Sequence, residues 1–148
     1  MAVLANFYSL GLKDCLVGSG TVALQQTNMG AVLMTGYSFD QDNHHFLTSV
    51  MANEISGTGY TTLGATVTGS TVTYDSASNE IRWTFSNPTW TSASFSASQM
   101  AVYYRSAGGT TTTWPLLMYV EFGATQTVAS GTFQYVVPAT GAGAITVS

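Results

Sequence analysis

The sequence predicts an all-β fold, an antiparallel two-sheet β-sandwich of jelly-roll-like type with a short N-terminal arm or helix, and three observations carry that expectation. Charged residues make up 7% of the 148-residue chain, against about 25% in an ordinary soluble domain. Polarity comes instead from Thr, Ser, Gly, Asn and Gln, which suit strands and turns, while the Glu, Lys and Arg that fill exposed helix faces are scarce. Short β-rich runs recur behind turn residues along most of the chain, the spacing of a sandwich or barrel.

Taken in order, residues 3–16 place Leu4, Tyr8, Leu12 and Cys15 at helical spacing, with Val3, Phe7 and Leu16 widening the stripe. A short amphipathic helix follows from that spacing. Gly11 inside it costs about 1 kcal/mol against Ala, and Gly18-Ser19-Gly20 end it. Residues 1–20 therefore form an arm leading into a single domain over 21–148. AVLMT at 31–35 is continuous enough for a core strand, and 36–50 begins as a loop and closes with one helical turn. ANEI at 52–55 and ATVTGSTVTYD at 65–75 are expected as strands, the second divided by Gly69-Ser70.

EIRWTFS at 80–86 sets Ile81, Trp83 and Phe85 on one face and Arg82 and Thr84 on the other, the period of a half-buried strand, with Asp75 to Asn79 as its hairpin loop. Residues 99–105, 114–122, 132–137 and 144–147 supply four further strands, with Pro115 and Pro138 at strand ends where a missing N–H costs no ladder bond. Ile81, Trp83, Phe85, Val102, Leu117, Tyr119 and Val136 are the expected core. The loop SAGGTTTT at 106–113 is expected to be mobile or clasped by a neighbour.

Charge excludes some partners. With net charge −4 and Lys13, Arg82 and Arg105 as the only basic residues, the chain cannot build the cationic stripe that neutralises phosphates, so nucleic acid is not an expected partner. No run approaches the roughly 18 apolar residues of a membrane helix, and the uncharged Met1–Leu12 stretch lacks the basic start of a secretory signal. The single Cys15 forms no intrachain disulfide and is expected as a small buried apolar residue. So little charge gives weak colloidal repulsion, which favours a life inside an assembly made in a cytosol.

The chemical candidates are few. In Asp40-Gln41-Asp42-Asn43-His44-His45 the alternating Asp40 and Asp42 are weak candidate metal ligands, but the Gly and closing Glu of a calcium loop are missing, and a polar loop with an Asx-type turn is the favoured account of the segment. His44 and His45 point to opposite faces if extended and have no partner ligand set. Cys15 or a serine could pair with a histidine, yet no nucleophile elbow surrounds either, so no catalytic residue and no cofactor is expected. Tyr60, Tyr74, Trp90 and Tyr135 are among aromatic residues that could line a sugar-binding face, with core packing as the default.

Tyr37-Ser38-Phe39-Asp40 with Phe46-Leu47, then Glu54-Ile55-Ser56-Gly57-Thr58-Gly59-Tyr60, then Pro115-Leu116-Leu117 through Phe122-Gly123 form an order of segments, from about residue 29 onward, that resembles a group of small virion proteins of tailed bacteriophages. The resemblance implies a head-associated structural protein: a capsid decoration or cement subunit, homo-oligomeric as a dimer or trimer, binding the major capsid protein on the capsid surface of the virion and assembled in the host bacterial cytoplasm. The chain departs from the pattern in lacking a charged N-terminal helix and in its Thr- and Ser-rich loops, which leaves a tail, fibre or receptor- and glycan-binding module as the alternative. Joined to the low charge, the resemblance nominates as contact surfaces the arm (Val3, Leu4, Phe7, Tyr8, Leu12) and the loop of Thr110, Thr111, Thr112 and Thr113 with Trp114.

Overall fold

A computed structural model describes residues 4–17 and 23–146. The protein is all-β, with two antiparallel sheets. Strand β1 (Leu4–Phe7), helix α1 (Ser9–Leu16) and strand β2 (Met29–Met34) lead into two 3-10 turns (Leu47–Ser49 and Met51–Asn53); then come β3 (Ala65–Val67), β4 (Thr71–Asp75), β5 (Glu80–Thr84), β6 (Thr89–Tyr104), β7 (Leu116–Gln134) and β8 (Gly143–Thr146). One sheet has five strands in the order β1-β7-β6-β2-β3, the other three in the order β4-β5-β8.

The apolar run in β2 is buried at every position. Met29, Ala31 and Leu33 join a core shared with the three-stranded sheet through Trp83 and Phe85, while Val32 and Met34 join a second core on the opposite face with Tyr8, Tyr37, Leu47 and Tyr103. Period-2 alternation therefore sends every side chain of β2 into a packed layer, as a continuous hydrophobic run requires. The second core is roofed by side chains from residues 37–51 and Leu63; their segment is closed on itself by Thr35 N–H to Asn53 O at 3.1 Å and tied to β2 by Ile55 N–H to Leu33 O at 3.1 Å.

Several sequence expectations are corrected here. The N-terminal helix is shorter than expected: residues 4–7 are a strand paired with Met118–Glu121 of β7, and only Ser9–Leu16 is helical. The reason is the free edge of β7, which gives Leu4–Phe7 ladder bonds that a marginal helix cannot match. Gly11 is not a defect but a contact, since a Cβ there would lie 1.8 Å from Leu116 O.

ANEI is not a strand but a 3-10 turn followed by a single bridge from Glu54 to Met34, on the part of the β2 edge beyond β3. ATVTGSTVTYD does divide at Gly69-Ser70, and its halves enter different sheets. The expected strands 114–122 and 132–137 are largely one strand, β7, whose bulges absorb Gly123 (φ 76°) and Ser130 (φ 51°) without breaking the ladder with β6. β6 likewise begins ten residues before its expected start, since the Thr/Ser/Ala alternation of 89–98 carries too weak a hydrophobic signal to be seen.

Of the expected core, Trp83, Phe85, Val102, Leu117 and Tyr119 are buried, Ile81 is half-buried, and Val136 is 64% exposed because the chain leaves β7 at Gln134. Trp83 is 1% exposed, stacks on Phe7 at 6.0 Å and donates its indole N–H to Ser70 Oγ at 2.8 Å. Trp83→Ala should therefore lower unfolding free energy by about 3–5 kcal/mol in a denaturant titration, and a near-neutral result would contradict this packing. Gly11→Ala, which helix propensity alone would make stabilising, should instead destabilise by about 1–3 kcal/mol in the same assay because α1 must move off β7.

Candidate functional site

The arm proposed as a contact surface is mostly built into the fold. Val3 lies outside the described residues, and Leu4 is placed through its backbone pairing with Glu121. Phe7 is half-buried on Trp83 and against Gly143. Tyr8 is fully buried: its N–H bonds Leu117 O at 3.1 Å, its ring meets Phe39 edge-on at 5.1 Å, and its hydroxyl donates to Tyr37 Oη at 3.2 Å. Burial raises its pKa far above the ordinary tyrosine value, with the Tyr37 hydrogen bond adding to the shift. Tyr8 is thus a core residue and not a contact residue. Leu12 is half-buried, and the exposed apolar side chains of this end are Leu16 at 74% and Val17 at 63%.

The threonine loop is clasped, but by its own chain. Thr113 and Trp114 N–H both bond Thr110 O at 2.9 Å, closing a turn, and Thr48 N–H and Leu47 N–H bond Thr111 O and Trp114 O at 2.9 Å each. Trp114 stacks on Tyr103 at 5.9 Å and donates to Ser106 O at 3.1 Å, so it anchors the loop and is only half-exposed. Thr110, Thr112 and Thr113 remain on the surface, with Thr111 half-buried.

Asp40 and Asp42 do not form a ligand pair. Asp40 accepts from Asp42 N–H and Asn43 N–H at 3.0 Å each on one oxygen and from Asn43 Nδ2 at 2.9 Å on the other, an Asx turn that occupies its carboxylate. Those hydrogen bonds, led by the Asn43 side chain, hold its carboxyl below the usual carboxylate range. Among the described residues no three His, Cys, Asp or Glu side chains come together as a metal site. His44 and His45 diverge as alternation requires: His44 Nδ1 lies 2.5 Å from Tyr37 Oη, and His45 Nε2 lies 2.5 Å from Asp14 Oδ2 on α1. Cys15 is half-buried, and burial together with the neighbouring Asp14 charge pushes its thiol up to about 11, away from thiolate reactivity at neutral pH.

A groove that sequence reasoning did not find lies within β7 itself. The rings of Phe122 and Phe133 sit 5.9 Å apart, whereas in a straight strand their Cα atoms would stand roughly 36 Å apart. The strand is therefore bent back on itself, and its bulges are the only irregularities that can take up the bend. The inside of the bend is a groove of about 580 Å³, floored by Phe122 and Tyr135 and walled by Val128, Phe133, Gln126 and Gln134. No Asp, Glu, Lys, Arg or His lines it. The only sequence signal for it was the run GATQTVASG between two apolar segments, which resembles a turn region as much as a strand.

Compared with known proteins, the chain matches no family model, no curated protein and no solved structure. No helix among the described residues is long and apolar enough to cross a membrane.

The Asx turn has a pH signature. Because the folded pKa of Asp40 is depressed, the ionised carboxylate contributes stability to the loop above the ordinary carboxylate range, and that contribution is lost as pH falls through the lower folded value. Carboxyl NMR titration should place Asp40 below the reference value of about 3.9, with the Asn43 amide moving at the same midpoint. Asn43→Ala should raise that midpoint, and millimolar Ca²⁺ should leave the wild-type curve in place; a midpoint at or above the reference would refute the turn.

Proposed function

We propose that the chain is a non-enzymatic structural subunit of a tailed-phage virion: a capsid decoration, or cement, protein that sits on the capsid surface as a homodimer or homotrimer and clips neighbouring major capsid proteins together. Its class comes from the resemblance in segment order, and assembly in the host bacterial cytoplasm follows from that class. The observation that best supports it is that the polar side chains are largely paired within the chain itself. Gln99 and Glu54 bond the chain's own backbone, and His44, His45 and Arg82 pair with Tyr37, Asp14 and Asp75. What remains outside is mainly Thr, Ser and Gln with isolated apolar side chains, a surface suited to binding by shape over many copies rather than to catalysis.

Within this proposal the fold is a β-sandwich of jelly-roll type. The nested pairing of β1 with β7 and β2 with β6, around the β4–β5 hairpin, supports that reading. The contact patch moves from Tyr8 to the exposed end of α1, Leu16 and Val17, with Leu12 beside them and Thr110, Thr112 and Thr113 as a second point.

A subunit that binds the mature lattice and not its disrupted form stabilises the lattice by linkage. Purified protein added to expanded capsids lacking it should bind saturably and raise the temperature at which the shells rupture. Leu16→Asp/Val17→Asp should weaken occupancy at least tenfold while the far-UV circular dichroism stays strand-dominated. Deleting residues 1–12 would be a poor probe, since it removes β1 and the buried Tyr8. Absence of binding to expanded shells would end the proposal, and recovery of the protein in tails alone would favour the fibre alternative.

A further inference from the structure

The groove inside β7 is lined by rings, amides and hydroxyls and by no charged group. Its volume of about 580 Å³ falls in the range of small-ligand sites, roughly 300–1,000 Å³. Tyr135 lines it, is 7% exposed, and stacks on Phe122 at 6.4 Å. Its hydroxyl has no hydrogen-bond partner among the described residues, although buried tyrosines elsewhere in the chain, Tyr8, Tyr103 and Tyr119, all have one. The Tyr135 hydroxyl opens to the groove, so it is a donor and acceptor free to take a partner from outside.

The rest of the lining has the same double character. Phe133 is half-exposed and gives a ring face; Gln126 and Thr132 are exposed polar side chains beside it. Gln126 uses only its Nε2, toward Ala124 O at 3.1 Å, and Gln134 only its Nε2, toward Thr89 Oγ1 at 2.9 Å, leaving both amide oxygens as acceptors.

From this we infer that the β7 groove is a binding site for a neutral glycan, whose C–H faces stack on Phe133 and whose hydroxyls bond Tyr135 Oη and the Gln126 and Gln134 amide oxygens. An anionic ligand would find no cation in the lining and a protein of net charge −4 around it. A purely apolar ligand would bury the amides and the tyrosine hydroxyl without partners. Sugars present both an apolar face and a ring of hydroxyls, which fits both halves of the lining. The inference is independent of the capsid reading and adds a ligand to whatever assembly the protein joins.

The test uses the full chain in solution and three neutral probes, maltohexaose, cellohexaose and chitohexaose, with hexagalacturonate as the charged control. Titration is followed by isothermal calorimetry and by tryptophan fluorescence, to which Trp90, edge-on to Phe133 at 5.8 Å, contributes. At least one neutral probe should bind saturably at millimolar concentration or tighter, and hexagalacturonate should not. Phe133→Ala should weaken binding at least tenfold. Tyr135→Phe keeps the ring and removes only the hydroxyl, so it should weaken binding roughly fivefold with the fold intact, and the exposed Gln126→Ala should act in the same direction. Silence with all three neutral probes, equal binding of hexagalacturonate, or unchanged affinity in Tyr135→Phe and Gln126→Ala would overturn the inference. Because no capsid enters the measurement, such a failure leaves the decoration reading standing.

Discussion

One side chain ties the start of the covering segment, at Tyr37, to the central sheet. Gln99 sits opposite Met34 at the end of the β2–β6 pairing, and there its amide takes over from the ladder. Its Oε1 accepts Tyr37 N–H at 2.9 Å and its Nε2 donates to Tyr37 O at 2.7 Å, so a single side chain satisfies both backbone groups of a buried residue as a neighbouring strand would. The same Nε2 reaches Tyr119 Oη and Glu121 Oε2 at 3.0 Å each. Leaving such groups buried and unpaired costs about 1–3 kcal/mol apiece, so this amide fixes the place of Tyr37 over the second face of β2. Tyr37, held in this way, positions the hydroxyl of Tyr8 and the ring of His44, and through Tyr8 it fixes where the chain turns from β1 into α1.

The consequence for function is a division of labour. Hydrogen-bonding and ionisable groups are consumed in joining layers, and the far half of the β6–β7 hairpin is left to carry the outward surface. One edge of that ribbon is sealed: Gly57 and Gly59 approach so closely that a Cβ at Gly59 would lie 2.6 Å from Ser92 O, and Thr58 bridges Ser94. Only glycine allows that approach, since Gly59 also has φ 77°. The other edge, along Gly123–Gln134, has no charged residue and is protected by curvature instead, a known way to keep exposed strand edges from pairing indiscriminately.

How much of this was legible depended on the strength of the local pattern. The central strand at 29–34, the alternation Ile81-Trp83-Phe85 and the break at Gly69-Ser70 declare themselves because burial on one or both faces leaves a period in the sequence. The length of β6 and β7 did not, because bulges break the alternation of Trp90, Phe95 and Phe133 with the Thr, Ser and Ala around them, and tertiary pairing decides what propensity leaves open. Tyr8 was misplaced for a related reason: at helical spacing it extends an exposed stripe, and only the strand at Leu4–Phe7 turns it inward. The Asx turn at Asp40 was readable from residue types alone, whereas the groove in β7 was not, since it exists only because two bulges bring residues 122 and 133 together.

The pairing of the first strand with the seventh also sets the order of events in the cell. Leu4 meets Glu121 and Phe7 meets Met118, so β1 has no partner until the chain has been made as far as β7. The β4–β5 and β6–β7 pairs are local in sequence, whereas β1, β2 and β8 each pair with a strand far along the chain. Long-range closure of this kind places a chain among slow-folding β proteins, with rates in the millisecond-to-second range. During that interval the apolar β2 segment is exposed, and its protection rests on how quickly β3 and β6 appear to receive it.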